Sequence, residues 1–198
     1  MGLGDTEYVD FNGDGIIDDN DRYAMGYSQN YPLYNYSLSA GFRFRNFEFD
    51  FLLQAVSHFS KHVIDSFAWP LHRLSNQVFD YQLDAWSPDN RDARYPAFHF
   101  DSNRGHNNIT DGAVRSVSVY NASYIRLKNI NIAYNLPKRV AGKLGLSSAK
   151  VYLRGNNLFT WAPDYPLGDP EASDDGGNVT YGYYQMVRTF TVGLQFGF

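Results

Sequence analysis

The sequence predicts an all-β chain: antiparallel up-and-down strands forming the last part of a transmembrane β-barrel, with long extracellular loops. Three observations carry that prediction. Apolar and polar residues alternate strictly through the final stretch of the chain. The connections between such stretches are short and long by turns. Aromatic residues make up 17% of the chain, with 16 Tyr and 15 Phe, a load that suits the interfacial girdles of a barrel or a sugar-binding β-protein.

In the final stretch Phe190, Val192, Leu194, Phe196 and Phe198 are large and apolar, while Thr189, Thr191, Gly193, Gln195 and Gly197 between them are small or polar. Such alternation is a strand with one apolar and one wet face. A soluble domain blunts an edge strand with charge, Pro or a bulge, and nothing does so after Arg188. A closed barrel has no edge, and in a membrane it wants apolar residues outward. Phe190, Val192, Leu194, Phe196 and Phe198 are therefore expected to form the barrel-closing strand.

Composition narrows the function classes. The 198 residues suffice for one ordinary domain with its own core. A net charge of −4 supplies no basic field for nucleic acid. Without cysteine there is neither a disulfide framework nor a thiolate metal site. No run approaches the ~20 apolar residues of a membrane helix. The start, Met1 to Glu7, lacks the basic and apolar regions of a signal peptide.

Residues 1–33 are expected to be an extracellular loop with a calcium-type motif. Asp10, Asn12, Asp14, Asp18 and Asp21 place oxygens at positions 1, 3, 5, 9 and 12 of the twelve-residue calcium loop. Gly15 takes the turn at position 6. Ile16 at position 7 lends its carbonyl, and its side chain can pack inward. Asp21 stands where Glu is usual, which shortens the ligand's reach. No helix pattern precedes the loop, so a structural Ca²⁺ is expected here rather than a paired sensor hand.

Residues 34–198 carry about five barrel strands. Tyr34, Tyr36, Leu38, Ala40, Phe42 and Phe44 share one face, and Asn35, Ser37, Ser39, Gly41, Arg43 and Arg45 the other. This run has the length of a tilted membrane strand, about 9–11 residues. Arg45-Asn46 is a tight turn, and Phe47 to Val56 continues the alternation as the second arm of a hairpin. Residues 57–122 show no sustained period. His58 and His62 would share a metal only on a helix and with a third ligand; they read as loop histidines. Ser123 to Asn135 is the third strand. Ile125 and Leu127 fall out of phase with Ile130, Ile132 and Tyr134, so a bulge is expected near Lys128-Asn129. Lys138 to Leu144 is a short helical turn closed by Gly145. Lys150 to Thr160 is the fourth strand, and 162–185 a polar loop. The chain reads as one segment, 1–198, without a linker.

With the chain end on the periplasmic side, the 162–185 loop lies outside, 136–149 inside, 57–122 outside, Arg45-Asn46 inside and 1–33 outside. Each connection then has the length its side demands. Five strands cannot close a membrane barrel, whose single-chain minimum is about eight. The chain is therefore expected to be a fragment, the C-terminal part of a larger protein.

Five motifs in order resemble one family. They are Gly4-Asp5 with Tyr8 to Arg22, Trp86 to Pro96, Ala122 to Asn129, Gly155 to Trp161, and Arg188 to Leu194. Together they resemble the C-terminal end of TonB-dependent outer-membrane transporters of the SusC/RagA type. The resemblance implies a plugged barrel of about 22 strands in the cell outer membrane. It implies a SusD-type surface lipoprotein as partner and import of oligosaccharides or peptides. Drive would come from the TonB complex, through an N-terminal part absent here. The aromatic C-terminal strand looks like the signal read by the barrel-assembly machinery.

On this reading Phe190, Val192, Leu194, Phe196 and Phe198 face the lipid bilayer, and Thr189, Thr191, Gln195, Arg43 and Glu48 face the lumen or plug. Trp86 to Pro96 shapes a loop, and the Tyr, Trp and His residues of 57–122 are sugar-stacking candidates. The alternative is a soluble calcium-stabilised carbohydrate-binding β-module, which needs no alternating loop lengths. A glycosidase needs two carboxylates facing a cleft, and no spacing among the 21 Asp and Glu residues picks out a pair. No enzyme activity is expected.

Overall fold

Eleven residues of strict alternation, Tyr34–Phe44, form β1, and eleven more, Phe47–Ser57, form β2. The turn between them is two residues long and holds Arg45 at φ 56°, an uncommon conformation outside glycine. Ser60–Val63 is β3, Val119–Asn121 β4, Tyr124–Asn135 β5, Lys138–Lys143 α1, Ser148–Trp161 β6, Asn178–Val179 β7 and Thr189–Gly197 β8. The computed structural model describes residues 3–64, 67–68, 70–71, 77–98, 115–172, 178–179 and 184–198. Trp69 and parts of both long loops lie outside the described residues.

The five long strands form one sheet in the order β1-β2-β5-β6-β8, every pair antiparallel. This is the up-and-down order expected, and the sheet is open at β1 and β8. The bulge falls where the phase slip placed it. Leu52 pairs with Asn129 and Leu53 with Leu127, so Lys128 stands outside the ladder. The same residue is skipped against β6. With that correction Ile125, Leu127, Ile130, Ile132 and Tyr134 share one face.

Register carries the alternation across the whole sheet. Tyr34, Phe42, Phe49, Ile132, Leu153, Val192 and Phe190 stand on one face; Arg43, Glu48, Asn135, Lys150 and Gln195 line up on the other. The apolar face is exposed: Phe190 is 72% exposed and Val192 73%. A soluble sheet buries that face. Here the polar face is instead the one that is hydrogen-bonded within itself.

Contacts divide the chain into two compact units. The five-stranded sheet, with 32–58, 122–172 and 184–198, is one. The other comprises the described residues of 1–31, 59–121 and 173–183. It contains a small sheet in which β3 runs antiparallel to β4 and parallel to β7. The sequence reading left this stretch without strands, because two to four residues are too few to show a period.

Several boundaries differ from expectation. The fourth strand starts at Ser148, before Lys150, because Leu136 and Ser147 donate backbone hydrogen bonds that extend the ladder at the α1 end. The last strand ends at Gly197. Phe198 lies beyond the ladder and is 98% exposed. The segment holding His62 is strand, not helix, so the helical spacing of His58 and His62 does not exist.

Candidate functional site

The polar face of the large sheet is a connected network. At the short-turn end Glu48 accepts hydrogen bonds from Lys150 at 2.6 Å and Asn135 at 3.0 Å, and Arg43 stands 3.5 Å away. Four strands thus meet on one carboxylate. One step along, Asn131 donates to Asp50 at 2.9 Å. On β6 and β8, Asn156 donates to Thr189 at 2.9 Å. Tyr152 lies over Gly193, where a Cβ would come within 2.1 Å of the ring, so the glycine leaves room for the tyrosine.

At the other end of β5, Arg126 is 1% exposed. Its guanidinium donates to Asp169 at 2.5 Å and to Glu171 at 2.6 Å. The Tyr124 hydroxyl also donates to Glu171, and Lys128, displaced by the bulge, reaches the same carboxylate at 3.3 Å. Asp169 in turn accepts from the Glu171 and Met186 N–H groups at 3.0 and 2.8 Å. The 162–172 segment is therefore tied onto the polar face of β5 by charge-assisted hydrogen bonds. Sequence reasoning missed this latch. Its only local sign was a Tyr-x-Arg-x-Lys pattern on a strand.

The calcium-type loop folds back on itself. Asp10 accepts from the Gly13 and Gly15 N–H groups at 2.6 and 2.7 Å. Asp14 accepts from Ile16 at 2.8 Å, and Asn12 from Asp14 at 2.9 Å. Asp18 accepts from Asn20 at 2.7 Å. Asp21 closes the ring by accepting from Phe11 and Asp18, both at 2.8 Å. The Asp18 bond, then those from Asn12 and Phe11, hold its carboxyl below the usual range. Gly13 and Gly15 both take positive φ, as the tight loop requires. The donor set is hard oxygen spaced along one loop, which suits Ca²⁺. The carboxylates point to backbone N–H groups, however, and among the described residues no three His, Asp or Glu side chains converge on one point. The Ile16 side chain turns outward and is 64% exposed.

Trp86 to Pro96 is a built loop. Trp86 donates its N–H to Tyr95 at 2.8 Å, and Asp84 accepts from Asn90 at 2.9 Å and from the Arg94 N–H at 3.2 Å. Gly4, at φ 86°, packs against the Trp86 ring. Tyr95 and Tyr120 share a hydroxyl hydrogen bond of 2.7 Å, and Tyr81 meets both rings edge-on.

Phe190, Val192, Leu194 and Phe196 stand together on the exposed face, opposite Gly155, Leu153, Val151 and Ala149. Thr189, Thr191, Gln195, Arg43 and Glu48 share the polar face.

No family model matches the chain. The chain is 31% identical over 205 residues to TonB-dependent receptor P3 of Formosa agariphila, covering 96% of this chain and 19% of that protein. It is 32% identical to TonB-dependent receptor P26 of the same organism, covering 99% of this chain and 20% of that protein. It thus spans about a fifth of the length of the curated relatives it matches. Among solved structures, it superposes on the RagAB peptide importer in the closed-closed state with TM-score 0.67 and 23% identity, covering 92% of this chain and 20% of that one. A second RagAB peptide transporter structure gives TM-score 0.58 and 27% identity, over 80% of this chain and 16% of that one.

Proposed function

This chain belongs to the TonB-dependent receptor family, and on that premise we propose that it is the C-terminal barrel wall of an outer-membrane importer of the SusC/RagA type. The observation that carries the reading is the inverted sheet. All five strands turn large apolar side chains outward, and β1, β2, β5 and β6 meet in an ion-paired network on the other face. In a barrel the first face meets lipid and the second lines the lumen.

The cargo is an oligosaccharide or a peptide. Likeness to the RagAB peptide importer supports the peptide arm; the aromatic loop residues support the sugar arm. A SusD-type surface lipoprotein covers the loop side, the TonB complex acts through another part of the protein, and the barrel-assembly machinery reads the final strand. The test is uptake of labelled peptides and oligosaccharides by cells with and without the gene. Loss of uptake of one class on deletion supports import and names the cargo. Uptake of both classes unchanged, with the protein absent from the outer-membrane fraction, contradicts it.

The 10–21 loop holds a structural Ca²⁺, with Asp10, Asn12, Asp14, Asp18 and Asp21 as side-chain ligands and Ile16 through its carbonyl. The glycine turns and the spacing of oxygens support this. Isothermal titration expects one site per chain, lost in Asp10→Ala. No heat at millimolar Ca²⁺ contradicts it.

A further inference from the structure

The unit built from the N-terminal segment and the 77–98 and 115–121 stretches holds an open cavity of about 990 Å³. Arg115 lines it and is only 5% exposed. Among the described residues no carboxylate is ion-paired with this guanidinium. Burial pushes its pKa down, and among the described residues the Tyr8 and Tyr120 hydroxyls act against that shift. A buried cation is costly unless an anion completes it.

Five acidic residues share the lining, Asp5, Glu7, Asp18, Asp19 and Asp21, and three of them are engaged within their own loop. Asp19 pairs with Arg22 at 2.8 Å, and Asp18 and Asp21 accept backbone hydrogen bonds of their own loop. Arg94, exposed, adds a second positive charge, its guanidinium 5.0 Å from the Tyr120 ring centroid. Trp86 supplies an apolar wall. A guanidinium fork matches a carboxylate in shape and charge.

We propose that this cavity binds a carboxylate-bearing ligand, with Arg115 as the anion anchor, Arg94 as a second cation and Trp86 as the apolar wall. An acidic sugar residue and a peptide both supply that group. The inference rests on the import reading only in treating the ligand as cargo; the anion chemistry stands apart from it.

The test is isothermal titration of the full-length protein in detergent, with triglutamate and digalacturonate as acid probes and amidated triglutamine and galactobiose as their neutral partners. At least one acid probe is expected to bind about tenfold or more tighter than its neutral partner, and which one does so identifies the source of the carboxylate. Arg115→Met removes that preference and Arg115→Lys keeps part of it. Arg94→Gln, at an exposed position, weakens the acid probe several-fold and leaves the neutral one unchanged, so the proposal stays testable if the Arg115 variants do not fold. Equal binding of acid and neutral probes, binding of neither acid probe, a preference kept by folded Arg115→Met protein, or Arg94→Gln without effect overturns it. Binding is read without uptake, so failure here leaves the import reading standing, and failure of import leaves this one.

Discussion

Arg126 on β5 and Asp169 in the loop after β6 meet at 2.5 Å, with 1% and 7% of their side-chain surfaces exposed. This pair, with Glu171 beside it, fixes where the 162–172 segment lies on the polar face. Arg126→Ala leaves two carboxylates in a buried site. Breaking a buried pair this way costs about 3–5 kcal/mol. The expected outcome is faster proteolysis within 162–172 and a lower heat-modification temperature. Asp169→Asn, which keeps hydrogen-bonding capacity, has the smaller effect. Equal protease resistance in Arg126→Ala would tell against the latch.

Tyr152 and Gly193 give a second prediction. A Cβ at 193 would overlap the Tyr152 ring, so Gly193→Val forces the ring away. Overpacking of this kind costs about 1–3 kcal/mol. The double variant Gly193→Val with Tyr152→Ser recovers most of the loss, because the two side chains touch each other. Urea denaturation of the four members of the cycle checks this; simple additivity contradicts it.

His62 makes the small sheet sensitive to pH. Burial holds the imidazole pKa below its ordinary 6.5; the Asn178 hydrogen bond works against it, and the charge of Arg115 adds to the lowering. Unfolded chains then bind the proton more readily than folded ones, so stability rises with pH. It is complete above the unfolded pKa of about 6.5 and declines as pH falls through it. Hydrogen exchange at the Ile64 amide, which donates to Val179, is expected to speed up between pH 7.5 and 5.5 beyond its intrinsic pH dependence. His62→Gln removes that extra change.

Phe198 separates assembly from packing. It lies outside the ladder and is 98% exposed, so Phe198→Asp breaks no contact of the folded sheet. On the proposal that the assembly machinery reads the final strand, the variant is expected to lose assembled barrel. Wild-type levels of heat-modifiable protein would remove Phe198 from that role.

The long strands were legible because each carries enough alternation to show its phase. Even the bulge at Lys128 was visible, since Leu127 and Ile130 cannot share a face without it. The β3, β4 and β7 strands were not, because each is too short for a period and their pairing joins residues far apart in sequence. The Arg126 latch was hidden for a related reason. Its partners Asp169 and Glu171 lie in a loop whose composition reads only as polar. In the 10–21 loop the ring of donors was readable, while the outward turn of Ile16 depends on what packs against the loop.

The central claim is that the exposed apolar face meets lipid and the polar face does not. Charge placed on adjacent residues of β8 tests it most directly. Val192→Glu and Leu194→Glu put a carboxylate on the apolar face; Thr191→Glu puts one on the polar face opposite Arg154. The fraction of heat-modifiable barrel in the outer membrane, and its stability in urea, are measured for each. Val192→Glu and Leu194→Glu are expected to lose stability, by less than the about 2–4 kcal/mol that Lys or Arg costs at a bilayer midplane, and Thr191→Glu to match the wild type. Loss in Thr191→Glu with none in Val192→Glu and Leu194→Glu would contradict the assignment of the two faces.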